Sequence, residues 1–182
     1  MMKPAARLPQ KNKTPRAAVL PPIVQGIMTM NLISKILAPD NILLDTESTS
    51  KKRVFERVGL LFENKIQIAR SQVFDSLFTR EKLGSTGLGQ GVAIPHGRIP
   101  KLRDATAAFV RTVHPIPFDS PDGQPVTLIF VLLVPELATD LHLQILGELA
   151  WMFSDAAFRE RLLACEDSAS MYQIFCDWNS AA

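Results

Sequence analysis

Apolar and polar positions follow different rhythms along this chain, and the changes of rhythm divide it into elements. After Lys51 the apolar positions Val54, Val58, Leu61 and Phe62 recur at the spacing of a helix with one buried face. Ser48, Thr49 and Ser50 precede them as candidate N-caps. A second helix is expected from a Ser71 cap, with Val73, Phe74, Leu77 and Phe78 inward and Gly84 as its stop. The apolar run Val126 to Val134 has the character of a strand covered on both faces. Ala105 to Val113 reads as another strong strand, and Gly91 to Ile94 and Ile42 to Leu44 as shorter ones. Pro115 and Pro117 end the pattern of the former, and Ser120-Pro-Asp-Gly123 makes a turn. Asn31 is expected to cap a short helix through Leu37 that Pro39 stops. Three more helices are expected at Thr139 to Phe153, Asp155 to Ala164 and Ser168 to Trp178. Strands interspersed with helices, around one doubly buried strand, predict an α/β fold with helices on both faces of a central β-sheet.

Composition changes this picture at one end. Residues 1–29 carry five prolines and the bases Lys3, Arg7, Lys11, Lys13 and Arg16, with no acid. They are expected to form a disordered basic extension, because so few apolar anchors cannot offset the entropy of ordering. Met28 and Met30 leave open that translation starts there. Residues 30–182 are expected to form the one folded domain. Setting the extension aside turns the chain's net charge from +2 to −3, which argues against nucleic acid as a partner of the folded part. No apolar run approaches the roughly 20 residues of a membrane span, so no membrane insertion is expected. Cys165 and Cys176 read as buried free thiols of a cytoplasmic protein.

The candidate chemistry gathers in one segment. Five of the nine glycines fall between Gly84 and Gly97, in Leu83-Gly-Ser-Thr-Gly-Leu-Gly-Gln-Gly-Val-Ala-Ile-Pro-His-Gly97. The reading places His96 just past the end of a short strand, among free backbone N–H groups. His96 is then either a turn histidine or a nucleophile, since a neutral imidazole with an ordinary pKa near ~6.5 attacks well at physiological pH. His142 lies one turn inside its helix, on the face of Ile145, Leu146, Leu149 and Phe153. It is a satisfied core histidine or, near the positive end of a helix, a contact for phosphate. Arg80 either answers a helix C-terminus or offers a donor fork to a phosphoryl group. Ser85 and Thr86 are hydroxyl donors to the same group or turn stabilisers, and His114 reads as a strand-end residue. A zinc site lacks a third closely spaced ligand, and the glycine segment has no Gly-Lys-Ser/Thr to make it a P-loop.

The segment from Leu83 to Gly97 resembles the phosphorylation segment of enzyme IIA proteins of the bacterial phosphotransferase system, nearest to the nitrogen-regulatory branch, with the fructose and mannitol IIA domains behind it. The resemblance runs from about Met30 to Trp178, and Asp119 to Val134 is similar to the family's central strand segment. It implies a mixed central sheet flanked by helices, and a phosphotransferase component without metal or cofactor. By position it implies His96 as phosphoryl acceptor, His142 as the second active-site histidine, and Arg80 as the arginine that balances charge. Ser85, Thr86 and Gly97 would belong to the phosphoryl-binding loop.

The implied donor is an HPr-type carrier protein, and the implied output is phosphorylation-dependent binding to targets such as a potassium transporter or a sensor kinase. A sugar-specific IIA component passing phosphate to a IIB domain is the alternative, and an interaction module that has lost phosphorylation is a third. Gln90 stands where mannitol-type domains tend to carry an acid, a departure compatible with the regulatory branch.

Overall fold

The computed structural model describes residues 31–137 and 140–178. The expected extension 1–29 and the expected cap Thr139 lie outside the described residues. The first half comprises α1 (Leu32–Ile36), β1 (Leu37–Thr46), α2 (Lys51–Ile66), α3 (Arg70–Lys82), β2 (Gly87–Gly89), β3 (Val92–Ala93) and β4 (His96–Ile99). The second half comprises β5 (Thr106–Ile116), β6 (Val126–Pro135), α4 (Asp140–Ser154), α5 (Ala156–Ala164) and α6 (Ser168–Asp177).

Strand β6 organises the rest. Leu128, Phe130, Leu132 and Val134 point into one core cluster, and Ile129, Val131 and Leu133 into the other, as the two-residue period of a strand requires. Each such side chain contributes about 1.5–3 kcal/mol on leaving water. The first cluster lies under α1, α4, α5 and α6, the second under α2 and α3. Within the sheet the order is β1-β5-β6-β3-β2, with β4 also on β6. Antiparallel β5 pairs with β6, while β3 and β4 run parallel to β6 and β1 parallel to β5. The mixed sheet with helices on both faces is thus the expected architecture.

Several boundaries differ from the expectation, for physical reasons. The first helix ends at Ile36, and β1 runs straight through Pro39. Proline lacks an N–H, and β1 tolerates it because it is an edge strand whose register shifts between Leu37 and Ile42. Strand β5 likewise passes Pro115 where its register with β6 shifts. Ser50 is the cap of α2, accepting from the Arg53 N–H. Ser71 does not cap α3; Ala69 holds that position without a side-chain bond, and the Glu63 carboxylate takes the Arg70 N–H instead at 3.2 Å. Cys165 and Cys176 are free, as expected, but half-buried rather than buried.

Side chains tie the outer helices to the sheet. Asn31 accepts the Ser34 N–H at 2.8 Å, and its amide donates to the carbonyls of Phe175 at 2.7 Å and Trp178 at 3.2 Å. One residue therefore caps the start of α1 and the end of α6. Buried Arg111 of β5 donates to the carbonyls of Leu162, Leu163 and Cys165 at the end of α5, and to Asp45 at 2.9 Å.

Helix α3 is seated on β4 through Gly97. A Cβ placed there would lie 2.4 Å from the Ser76 hydroxyl oxygen and 3.3 Å from the Ser76 backbone carbon, so only glycine lets helix and strand meet this closely. Gly97→Ala is expected to lower the unfolding free energy by about 1–3 kcal/mol through overpacking. A urea midpoint equal to the parent's would contradict that account.

Candidate active site

The glycine segment folds into a short hairpin that delivers one histidine. β2 and β3 pair antiparallel, and their turn holds Gln90 and Gly91 with φ of 54° and 77°. The Asp122 carboxylate fixes this turn, accepting the Gln90 N–H at 2.7 Å and the Gln124 N–H at 3.0 Å. Beyond Ala93 the chain breaks from the ladder at Ile94-Pro95 and resumes as β4, with His96 opposite Leu132. His96 is therefore the first residue of a strand rather than the residue after one. The Leu132 N–H bonds to the Pro95 carbonyl at 2.9 Å, which keeps the broken strand on β6.

Both ring nitrogens of His96 are engaged. Nδ1 lies 2.9 Å from the Ile94 carbonyl oxygen, and the Arg80 Nε–H donates to Nε2 at 3.0 Å. A carbonyl only accepts, so Nδ1 carries the proton and Nε2 presents its lone pair. The Arg80 Nη1 also donates to the Gly84 carbonyl at 3.0 Å, which holds the guanidinium across the end of α3. His142 comes from the first turn of α4; its ring centroid lies 5.2 Å from that of His96 at an interplanar angle of 63°. Its Nε2 is buried and has no hydrogen-bond partner among the described residues. The two rings border a cleft of about 620 Å³, lined also by Asp75, Thr79, Arg80, Leu83 and Arg98.

Electrostatics keep both rings neutral near pH 7. Burial, then the Arg80 charge, pushes His96 below the usual imidazole range, against the Ile94 hydrogen bond and Glu81, which pull it up. Burial also lowers His142, helped by His96, Arg98 and Arg80. The result is a nucleophilic nitrogen beside a positive field, suited to an anion that arrives on Nε2.

The structure brings together His96, His142 and Arg80, and it settles Ser85 and Thr86 elsewhere. The Ser85 hydroxyl donates to the Phe118 carbonyl and accepts the Gly87 N–H at 3.0 Å. The Thr86 hydroxyl donates to the Glu81 carboxylate at 2.6 Å. Neither lines the cleft, and both hydroxyls are spent on bonds within the loop and to its neighbours. Gly97 does line it, through its close contact with α3. Gln90 sits at the hairpin tip, outside the cleft lining, and His114 is exposed on β5.

The sequence reading missed Arg98. It lies two residues after His96, on the same face of β4, and donates to the Glu136 carbonyl at 2.8 Å. Strand periodicity would have found it had His96 been placed inside a strand. Among the described residues no three His, Cys, Asp or Glu side chains gather to hold a metal ion.

Nitrogen NMR titration of the full chain should show His96 and His142 protonating below the free-histidine value of about 6.5. Because the unfolded chain then takes up protons first, stability falls as pH drops through that value. Arg80→Met removes a positive neighbour and should raise the His96 midpoint. An unchanged midpoint would mean that the Arg80–His96 contact is not populated in solution.

Comparison with known proteins places this geometry. Residues 35–177 match the family model described as "Phosphoenolpyruvate-dependent sugar phosphotransferase system, EIIA 2". A nitrogen regulatory protein of Pseudomonas aeruginosa is 41% identical over 146 residues, covering 80% of this chain and 95% of the relative. The crystal structure of the nitrogen regulatory protein IIA-Ntr from Neisseria meningitidis superposes with a TM-score of 0.76 at 52% identity, covering 80% of this chain and 99% of that one. IIA mannitol from Escherichia coli, at 19% identity and a TM-score of 0.64 over 76% of this chain and 97% of its own, shares the fold. By its sequence from Lys35 to Asp177 and by its architecture, the chain belongs to the EIIA 2 family of the phosphotransferase system.

Proposed function

We propose that this protein is a nitrogen-regulatory phosphocarrier that takes a phosphoryl group onto His96 Nε2 from the phosphohistidine of an HPr-type carrier protein. The observation that carries the proposal is the assignment of the two ring nitrogens: the proton on Nδ1 at the Ile94 carbonyl, the lone pair on Nε2 in the cleft. In the transfer the Nε2 lone pair forms a new N–P bond as the donor's N–P bond breaks, and its electron pair returns to the donor imidazole. No proton has to move when the donor leaves as a neutral imidazole: His96 keeps its Nδ1 proton, and the Ile94 carbonyl that accepts this N–H stabilises the positive charge the ring acquires. Such a transfer passes through a loose transition state with charge spread over the phosphoryl oxygens, so positioning and neutralisation are the protein's task. Arg80 swings from Nε2 to a phosphoryl oxygen, His142 donates from its unpartnered Nε2, and Arg98 adds positive field.

The surroundings suit a protein donor. Leu83 is 82% exposed and Leu137 90% exposed, and Leu141, beside His142, is also exposed. Leu83 lines the cleft, and exposed apolar side chains beside a polar centre are typical of a docking surface. Once formed, phosphohistidine adds close to two negative charges to this rim, enough to change which proteins bind it. The regulatory output rests on the nitrogen-regulatory relatives, and its candidate targets are a potassium transporter or a sensor kinase.

Incubation with phosphoenolpyruvate, enzyme I and the carrier protein should label the protein with one acid-labile, base-stable phosphate. His96→Ala should remove the label entirely, and His142→Ala should slow labelling at least about tenfold, as for loss of a donor to transition-state charge. Labelling should weaken in acid, once Nε2 is protonated. Equal labelling of His96→Ala would overturn the assignment, and onward transfer to a IIB domain would favour the sugar-transport alternative.

A further inference from the structure

A chain of hydrogen bonds leaves α3 at Glu81 and returns to it one residue earlier, at Arg80. The Glu81 carboxylate accepts both the Thr86 N–H, at 3.1 Å, and the Thr86 hydroxyl, at 2.6 Å. The Thr86 carbonyl accepts the Ile94 N–H at 2.9 Å. The Ile94 carbonyl holds His96 Nδ1 at 2.9 Å, and His96 Nε2 receives Arg80 at 3.0 Å. The ring of contacts therefore closes through the reactive imidazole.

Glu81 is an unexpected residue at this place. It sits in the last turn of α3, where the helix dipole disfavours an acid, and its side chain is only 4% exposed. Lys51 offsets the charge from 3.0 Å while also pairing with Asp119 at 2.7 Å. A buried ion pair is a weak source of stability, since desolvation cancels much of the attraction. Its worth here lies in direction: a carboxylate fixed by Lys51 accepts two bonds from one residue and so orients the peptide that follows.

We propose that Glu81 is a positioning residue for His96, acting through Thr86 and Ile94 to fix the Nδ1–H tautomer and to aim Nε2 into the cleft. The proposal rests on the phosphocarrier reading only for its functional consequence; the ring orientation stands apart from it. The other titratable or charged groups around His96 are Arg80 on α3, His142 on α4, Arg98 on β4 and Asp75 at the cleft wall. Among the charges that act on His96, Glu81 pulls its affinity for protons up against the pull of Arg80.

The test uses the full chain with nitrogen-labelled histidine. Glu81→Gln keeps the shape but loses the charge and one acceptor. It should turn His96 from a single Nδ1–H tautomer into a mixture, lower the His96 titration midpoint, and slow phosphoryl uptake at saturating carrier about tenfold. The carrier concentration giving half the maximal rate should not change, because the docking rim is untouched. Thr86→Val, which keeps the backbone N–H, should shift the tautomer ratio in the same direction by less, and it carries the test if the glutamine variant does not fold. A merely structural role would reduce stability alone; an unaltered tautomer and rate per folded molecule would overturn the proposal. If the parent protein takes up no phosphate, the phosphocarrier reading fails, while the tautomer ratios still decide the role of Glu81.

Discussion

A hydrogen bond that spans two residues governs the centre of this molecule. For the His96 imidazole to reach the carbonyl of Ile94, the backbone must leave the strand between them, and Pro95 supplies a residue with no N–H to strand there. That requirement explains why β3 and β4 are separate pieces laid along one partner, β6. It also sets the ring with one nitrogen inward and one outward, so that the second can face Arg80. Without the bond the ring would lose its fixed face.

Around that bond the charges are unbalanced by design of the fold. Two neutral imidazoles stand near the guanidinium groups of Arg80 and Arg98, while Glu81 keeps its carboxylate turned to Thr86 and Lys51. Positive charge in a half-buried cleft repels a proton and welcomes an anion. An arrangement that discourages protonation of Nε2 and favours an anion beside it suits the proposed role of His96, to accept a phosphoryl group and give it up again. Tight, permanent anion binding would call for donors with no competing partners; here Arg80 already has Nε2 and the Gly84 carbonyl to return to.

What could be read from the sequence was what local chemistry dictates. The stripe of α2, the doubly buried β6, and the glycine segment ending at His96 were all legible, because each shows its period or its special residues within a few positions. Of β1 only Ile42 to Leu44 was legible; its start was not, since Pro39 is tolerated only through an edge position and a register shift that neighbours in space create. Ser71 looked like a cap, yet Glu63 from the preceding helix does the work at Arg70. The histidines and Arg80 were legible as candidates because their side chains have few structural uses in those places. The directions of Ser85, Thr86 and Glu81 were hidden, for they depend on contacts between elements that sequence spacing does not encode.

Asn31 has a consequence for how the domain is joined to other things. Its amide grips the carbonyls of Phe175 and Trp178, so the first and last described residues meet at one patch. Such a unit works as a plug-in module: whatever is spliced before or after it shares a single attachment point. Because the two ends of the described fold lie side by side, genetic fusion at either side demands no change in the path of the chain between.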